Sequence, residues 1–250
     1  MPLTNRPNRI KLLHGLPRGK PVSTVDLRAI GVSPALASHY VKSGWLLRLG
    51  RGIFMFPQDT LERDACLKFL GTQIPGLHVA GKTALSWRGV RIQLPARERL
   101  VLWADEPGKL PLWFTQRFAA RYTSSQLFHH TLPKHHGLEP LPESPDGPLV
   151  SVPERALLEM LSDVGLRQSI EEARQIMETL RSLRNEVLDV LLEHCTRIKV
   201  IRICLQWGEE MNLPWADEAR KRMSLSLEAR GSKSRWTARL KDGTTLILKP

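Results

Sequence analysis

The chain has 250 residues, of which 42% are hydrophobic and 25% are charged, and its formal net charge is +12. These proportions are ordinary for a globular protein and argue against wholesale disorder. No apolar run is long enough to cross a bilayer, and the N-terminus lacks the apolar core of a signal peptide. The three cysteines are too scattered for a disulfide framework. We therefore expect a cytoplasmic protein with reduced thiols and no membrane partner.

The positive charge is concentrated at the two ends of the chain. Residues 1–58 carry nine Lys and Arg against one acidic residue, and residues 220–250 carry nine against two. The segment between them is close to neutral. Clustered cations are typical of nucleic-acid binding, because each phosphate contact releases counterions. A solvated basic surface is the plainer alternative.

The first 58 residues contain three predicted helices in the order of a helix-turn-helix. The first helix spans 8–16, and glycines and prolines follow it. Ser23 or Thr24 can cap the second, and a glycine ends it. Ser33 caps the third, which spans 34–43 and has proline at its first position, where the missing N–H costs nothing.

Two short strands, 45–49 and 53–56, follow the third helix and are joined by a glycine-bearing turn at 50–52. This hairpin would be the wing of a winged helix-turn-helix. The side chains predicted to contact DNA lie on the outward face of the third helix or on the wing. They are polar, small or basic, as contact with a major groove requires. They are Ser33, Ala35, Ser38, His39, Lys42, Arg48 and Arg51.

The rest of the chain divides into two predicted parts. Residues 59–148 form a mixed α/β segment that begins with a helix over 60–73, capped by Thr60, and contains a loop over 105–116. It ends in a proline-rich stretch, 133–148, predicted to be an exposed linker. Residues 149–250 are mainly helical, with helices at 153–162, 169–181, 184–195, 197–211 and 214–223, and end in a β-hairpin around an Asp-Gly turn. We therefore expect an α+β fold with domains at 1–58, 59–148 and 149–250.

Residues 76–83, GLHVAGKT, match the P-loop pattern letter for letter. A phosphate-binding loop needs a strand before it, a flexible interior and a long helix after it. Here a helix precedes the segment, its interior is bulky, and Pro95 limits the helix that follows. The pattern favours a buried strand that turns at Gly81 into a short helix, and nucleotide hydrolysis is the minor alternative.

The only histidine cluster is formed by His129, His130, His135 and His136. Zinc sites use three or four ligands in a fixed frame, and this cluster lies beside a proline-rich loop without a nearby cysteine. We expect solvated loop histidines and no metal. No nucleophile–base pair or pair of carboxylates with catalytic spacing is evident, so the sequence predicts no enzyme, no catalytic residue and no cofactor.

Three segments resemble blocks of one protein family in the same order. They are SPALASHYVKSGWLLRLGRGIFMFP at 33–57, HVAGKTALSWRGV at 78–90 and LVSVPERALLEML at 149–161. The family is the AbiEi-type antitoxins of type IV toxin–antitoxin systems. The segment at 81–95 lacks the aromatic residues that usually end the second block.

The resemblance implies an autorepressor whose winged helix binds inverted repeats of double-stranded promoter DNA. Two copies of the chain could bind one operator as a homodimer. It also implies a C-terminal domain that counteracts a nucleotidyltransferase-like toxin encoded next to it. The residues alone leave a second class open, a stand-alone transcriptional regulator whose C-terminal domain senses a ligand or dimerises. The basic end could extend the DNA footprint or contact the toxin, or it could be a solvated face; its cations are Arg220, Lys221, Arg222, Arg230, Lys233 and Arg235.

Overall fold

The computed structural model describes residues 13–90, 99–124, 126–229, 236–239, 243 and 245–248. The chain folds as two compact units. Unit 1 comprises the chain up to Gln73 together with Lys109–Phe118. Unit 2 comprises Ile74–Gly108 and the chain from Ala119 onward. The predicted domain limits at residues 58 and 148 stay predictions.

Both units contain helices and strands. The helices are α1 (Thr24–Ala29), α2 (Pro34–Lys42), α3 (Arg63–Gly71), α4 (Gly81–Trp87), α5 (Leu112–Thr115), α6 (Pro153–Ser162), α7 (Ile170–Thr179), α8 (Asn185–His194), α9 (Ile198–Glu210) and α10 (Ala216–Ala229). The strands are β1 (Val22–Ser23), β2 (Leu47–Gly50), β3 (Ile53–Met55), β4 (His78–Val79), β5 (Leu100–Trp103), β6 (Ala120–Thr123), β7 (Leu138–Glu139), β8 (Val150–Ser151), β9 (Trp236–Arg239) and β10 (Thr245–Leu248). This mixture of helices and sheets is the predicted fold class.

Unit 1 contains a three-stranded antiparallel sheet in the order β1-β3-β2. The sequence predicts β2 and β3. It does not predict β1, which is only two residues long and is recognised as a strand only by its pairing with β3. The sheet and the two helices α1 and α2 enclose one apolar core. Its buried members are Leu13, Leu16, Val22, Leu27, Val32, Ala37, Tyr40, Leu46, Phe54 and Phe56.

The helix boundaries in unit 1 follow their capping residues. Ser23 caps α1 through a reciprocal capping box with Asp26, and Gly31 follows that helix with a φ of 79°, the left-handed conformation expected at this position. Ser33 caps α2 as predicted. Of the predicted helix at 8–16, only residues 13–16 lie in the described part of the chain, where Leu13 and Leu16 are buried.

Two predictions for the segments beyond the wing are wrong. The helix predicted over 60–73 with a Thr60 cap begins at Arg63, and its N-cap, Glu62, makes no side-chain capping bond. The loop predicted over 105–116 contains α5, whose Trp113 packs edge-on against Phe69 of unit 1 at a ring-centroid distance of 6.3 Å. The aromatic ring finds an apolar partner far away in sequence, which local patterns do not reveal.

Unit 2 is built on a five-stranded mixed sheet in the order β6-β5-β4-β8-β7. Strands β4 and β8 are parallel, as are β5 and β6, while β4 pairs antiparallel with β5 and β7 with β8. The predicted linker at 133–148 is wrong in part, because Leu138–Glu139 is the edge strand β7 of this sheet. Strand β8 leads directly into α6, almost all of which is buried.

The C-terminal helices and hairpin agree with the sequence pattern. Helix α6 has the predicted bounds, and α7, α8 and α9 lie within one or two residues of theirs. Helix α10 extends six residues further, to Ala229. Strands β9 and β10 pair antiparallel, with Trp236 opposite Leu248. The predicted turn residues 241 and 242 lie outside the described residues. Among the residues that are described, no helix combines the length and apolar character that a bilayer crossing requires.

Candidate nucleic-acid interface

Helix α2 has one face in the core of unit 1 and one face in solvent. Its first turn is fixed by Ser33, whose hydroxyl accepts a hydrogen bond from the Leu36 N–H at 3.2 Å. Ala37 and Tyr40 are buried in the core. Ala35, His39 and Lys42 lie on the opposite face and are exposed, so the residue spacing places the predicted polar face outward.

Ser38, like Ser33, is a predicted contact residue whose hydroxyl is already hydrogen-bonded to the backbone of α2. It is half-buried, and its hydroxyl donates to the Pro34 carbonyl at 3.0 Å. Serine hydroxyls in helices commonly form such a bond to the preceding turn, and the oxygen can still accept one from outside. Ser38 is therefore placed to accept a hydrogen bond, and donation to a base would require its hydroxyl to rotate away from Pro34.

The wing carries its two arginines on the antiparallel hairpin of β2 and β3. Arg51 is exposed at the tip, and Gly52 beside it has a φ of 72°, a conformation that favours glycine. Arg48 lies on β2, is exposed, and has its guanidinium carbon 5.7 Å from the centre of the Phe54 ring. This cation–π contact orients Arg48 without neutralising its charge.

The charge of this surface is not cancelled by neighbouring acids. Within the described part of the chain, no carboxylate forms an ion pair with Lys42, Arg48 or Arg51. Asp26, the one acidic residue among residues 1–58, accepts hydrogen bonds from both the backbone N–H and the hydroxyl of Ser23, each at 2.7 Å. The three cations therefore retain a field that attracts a polyanion.

Several exposed cations of unit 1 are absent from the predicted set, and two of them lie close in sequence to β1 and α1. Lys20 lies just before β1, and Arg28 lies in the last turn of α1. A pattern search for a recognition helix and a wing does not include either position. The high positive charge of residues 1–58 was the signal that could have indicated them.

The P-loop-like segment is occupied by protein groups. At the start of α4 the Gly81 N–H donates to Glu159 Oε2 at 3.0 Å, in the place where a phosphate oxygen would lie. Lys82 donates to Glu172 Oε1 at 2.9 Å. Helix α4 has seven residues, and His78 and Val79 of the segment belong to strand β4. This geometry supports the predicted strand and short helix.

Glu159 is the centre of a buried polar cluster in unit 2. Besides Gly81, its carboxylate is bonded by His78 Nε2 at 3.0 Å, Ser151 Oγ at 2.8 Å and Arg155 Nε at 2.9 Å. Burial alone would raise the pKa of Glu159, but the His78 ring, Arg155 and the Gly81 N–H hold it below its usual value. Glu159 is 1% exposed, so this cluster links β4, β8, α4 and α6 and is closed to a substrate.

The predicted histidine cluster consists of surface turns. The His129 and His130 ring centroids are 4.0 Å apart, and His129 Nδ1 is 2.8 Å from the Thr131 hydroxyl. His135 follows in a separate turn with a φ of 61°. Across the described residues, no group of three or more His, Cys, Asp or Glu side chains could hold a metal ion.

Part of the basic C-terminal segment is paired with acids of unit 2. Arg220 forms two hydrogen bonds to Glu209, at 2.7 and 2.9 Å. Arg222 contacts Asp189 and Glu218. Residues 230–235 of the segment lie outside the described residues. The paired arginines favour the solvated-face alternative for positions 220 and 222.

Two family models together match almost the whole chain. Residues 6–96 match the model described as transcriptional regulator, AbiEi antitoxin N-terminal domain, and residues 97–246 match the one described as transcriptional regulator, AbiEi antitoxin, type IV TA system. This chain belongs to the AbiEi antitoxin family. The family description is that of a regulator and antitoxin and names no enzymatic activity. The predicted family membership is thereby confirmed.

One solved structure is similar in fold to this AbiEi-family chain. It is the crystal structure of the RV2827C protein from Mycobacterium tuberculosis, with a TM-score of 0.58 and 15% sequence identity. The match covers 86% of this chain and 79% of that one. At this identity the likeness concerns the fold alone. No curated protein sequence matches the chain.

Proposed function

We propose that this AbiEi-family chain represses its own operon by binding inverted repeats of double-stranded promoter DNA through α2 and the wing. The observation that carries the proposal is an exposed polar helix face together with two exposed wing arginines that no described carboxylate neutralises. In winged helices the recognition helix reads base edges in the major groove, and phosphate contacts fix its register.

Roles follow from the chemistry of each side chain. Ser33, Ser38 and His39 would meet base edges or nearby phosphates, and Ala35 would allow the helix to approach the groove. Lys42, Arg48 and Arg51 would contact phosphates or the minor groove. Two copies on the two halves of an inverted repeat would satisfy the symmetry of such an operator.

A binding titration tests the DNA proposal. The probe is a duplex taken from the region upstream of the chain's reading frame, and the measurement is fluorescence anisotropy at several salt concentrations. Lys42→Ala and Arg51→Ala should each weaken binding by about 1–3 kcal/mol and, if they remove phosphate contacts, lower the slope of log K against log salt by about 1. Lys134→Ala removes the same charge from an exposed position of unit 2 and is the matched control. Unchanged binding by the double variant would reject this surface.

We further propose that the part of the chain after about residue 59 counteracts a nucleotidyltransferase-like toxin encoded beside it. The family description as a type IV antitoxin supports this proposal. Co-expression with the adjacent gene, scored as growth, is the test. The Lys42→Ala/Arg51→Ala double variant, expressed from an unrelated promoter, should still restore growth, because its lost contacts serve DNA binding. Growth arrest with wild type and variant alike would contradict an antitoxin role toward that gene product.

A further inference from the structure

The segment Arg18–Thr24 runs beside β3 from the base of the wing to its tip and continues directly into α1. We call this segment the brace. Before the helix cap predicted at Ser23 or Thr24, the sequence pattern indicated only turns, because glycines and prolines alternate through 15–21. None of the brace residues belongs to the predicted DNA-contact set. Its contacts with the wing nevertheless lie at both ends of β3.

At the base of the wing, Arg18 and Asp59 hold the chain as it leaves β3. The guanidinium carbon of Arg18 lies 4.1 Å from the centre of the Phe56 ring, and its Nε is 3.3 Å from Asp59 Oδ1. The other carboxylate oxygen of Asp59 accepts the Gly19 N–H at 3.0 Å. Phe56 is buried in the core of unit 1, so the Arg18 guanidinium packs over a ring that its neighbours hold in place.

At the tip, the brace is part of the sheet. Val22 pairs with Phe54 and Ser23 with Ile53, and the Thr24 N–H donates to the Gly52 carbonyl at 2.9 Å. Gly52 is the neighbour of the wing-tip arginine. The hydrogen-bonded ladder therefore continues past β1 to the residue that sets the direction of the tip.

We propose that Arg18 and Asp59 are positioning residues for DNA binding: they fix the base of β3 so that Arg48 and Arg51 are held in one orientation relative to α1 and α2. The inference rests on the proposed DNA-binding function. Ordering the wing in advance lowers the entropy lost on binding, so its loss weakens binding without removing a DNA contact.

Because Asp59 is negatively charged, the direction in which its replacement changes DNA affinity tests the inference. Asp59 is acidic and belongs to the unit proposed to bind a polyanion. Removing a negative charge there strengthens DNA binding if charge alone matters. A positioning role predicts the opposite result, weaker binding. Arg18 is 62% exposed, so its ion pair with Asp59 contributes little by itself. The effect comes from the charge-assisted hydrogen bond that Asp59 accepts from the Gly19 N–H and from the position of Arg18 over Phe56.

The first experiment measures operator binding by the full-length Asp59→Asn variant. We expect affinity to fall about three- to tenfold, with an unchanged slope of log K against log salt. Asp64→Asn is the matched control, because Asp64 belongs to the same unit and pairs on the surface with its neighbour Arg63. Circular dichroism melting shows whether each variant is folded at the assay temperature. Tighter binding by Asp59→Asn than by wild type would overturn the inference.

The second experiment is a double-mutant cycle between Arg18→Ala and Arg51→Ala. If Arg18 acts through the wing, its loss costs less once Arg51 is absent, so the two effects are less than multiplicative. If Arg18 contacts phosphate itself, its loss lowers the salt slope by about 1 and the effects multiply, which overturns the inference. Arg18→Lys keeps the charge and should remain weakened if the stacked guanidinium is what matters.

The failure of the inference and that of the proposed function give different results. If wild-type protein does not bind the duplex, the proposed function fails. If it binds and Arg51→Ala weakens it while both Asp59→Asn and Arg18→Ala bind as wild type does, only the positioning role is rejected.

Discussion

Glu159 shows how a single buried carboxylate can be stable inside this fold. An unpaired charge in an apolar interior is costly, and the cost is offset here by four donors, two of them on basic side chains. His78 has an acceptor at each ring nitrogen, since Nδ1 lies 2.6 Å from the Gly76 carbonyl.

Replacing Glu159 by Gln should therefore destabilise the chain strongly. The variant leaves the Arg155 guanidinium without its counter-charge. It also places an amide NH2 group where a carboxylate oxygen accepted two hydrogen bonds, and breaking such a buried pair costs about 3–5 kcal/mol. Urea unfolding followed by circular dichroism measures the loss. Glu178→Gln, at an exposed position of α7, is the control and should change stability by less than about 0.5 kcal/mol. Equal stability of the two variants would contradict a structural role for the cluster.

The lowered pKa of Glu159 also predicts that the stability of the fold depends on pH. The fold lowers the pKa of Glu159, and Arg184 lowers the pKa of Glu154 against the opposing effect of burial. In acid the unfolded chain therefore binds more protons than the folded one, and the free energy of unfolding should fall as the pH drops below the ordinary carboxyl pKa of 4.5. Urea midpoints between pH 7 and 3 test this. The decline should be shallower in Glu159→Gln, and an equal decline would contradict the assignment.

At the scale of elements, helix starts were predictable where a serine caps them. Ser23, Ser33 and Ser169 each accept a hydrogen bond from the first turn of their helix. Helix α3 has no such cap, and its start was predicted wrongly. Helix α6 also lacks a side-chain cap but begins at the predicted residue, where a proline occupies its first position. Strand β1 was missed for a different reason, because two residues carry no periodic pattern and become a strand only through their partner.

Ser23 is expected to stabilise two elements at once. Its hydroxyl caps α1, and its backbone pairs with Ile53 of the wing. Ser23→Ala should lower the free energy of unfolding by about 1 kcal/mol, while Ser23→Asn, which keeps a capping acceptor, should recover most of it. Urea unfolding of the three proteins measures the difference. Equal stability of Ser23→Ala and wild type would show that the capping box contributes nothing.

At the scale of the whole molecule, unit 1 is assembled from two separate stretches of the chain. Trp113, from the second stretch, lies against Phe69, and Arg117 donates to the carbonyl of Trp113 and to the Met55 sulfur. Residues 109–118 follow β5 of unit 2 along the chain before they join unit 1.

Trp113→Ala should destabilise unit 1 by about 3–5 kcal/mol, the usual cost of deleting a large buried aromatic ring. Trp113→Phe is the informative comparison. The indole N–H has no hydrogen-bond partner among the described residues, so its loss removes no bond and the phenyl ring retains much of the packing. Thermal and urea unfolding should place Trp113→Phe between Trp113→Ala and wild type. Wild-type stability of Trp113→Ala would show that α5 is dispensable to unit 1.

The sequence by itself determined the fold class, the family, the winged-helix order of the N-terminal elements and the bounds of α6. These features depend on caps, glycine turns and apolar periodicity, which act over a few residues. The predicted DNA-contact residues lie where that periodicity puts them, and their contacts with DNA stay predictions.

Only the tertiary structure decided which distant groups meet. It placed Glu159 at the start of α4 where the P-loop pattern suggested a phosphate, made β7 from a presumed linker, and carried Trp113 back to unit 1. Gly81 and Glu159 are 78 positions apart, Phe69 and Trp113 are 44 apart, and β7 pairs with a strand 11 to 13 positions further along the chain. The stability of these pairings comes from desolvation and packing in three dimensions, which no local pattern of residues encodes.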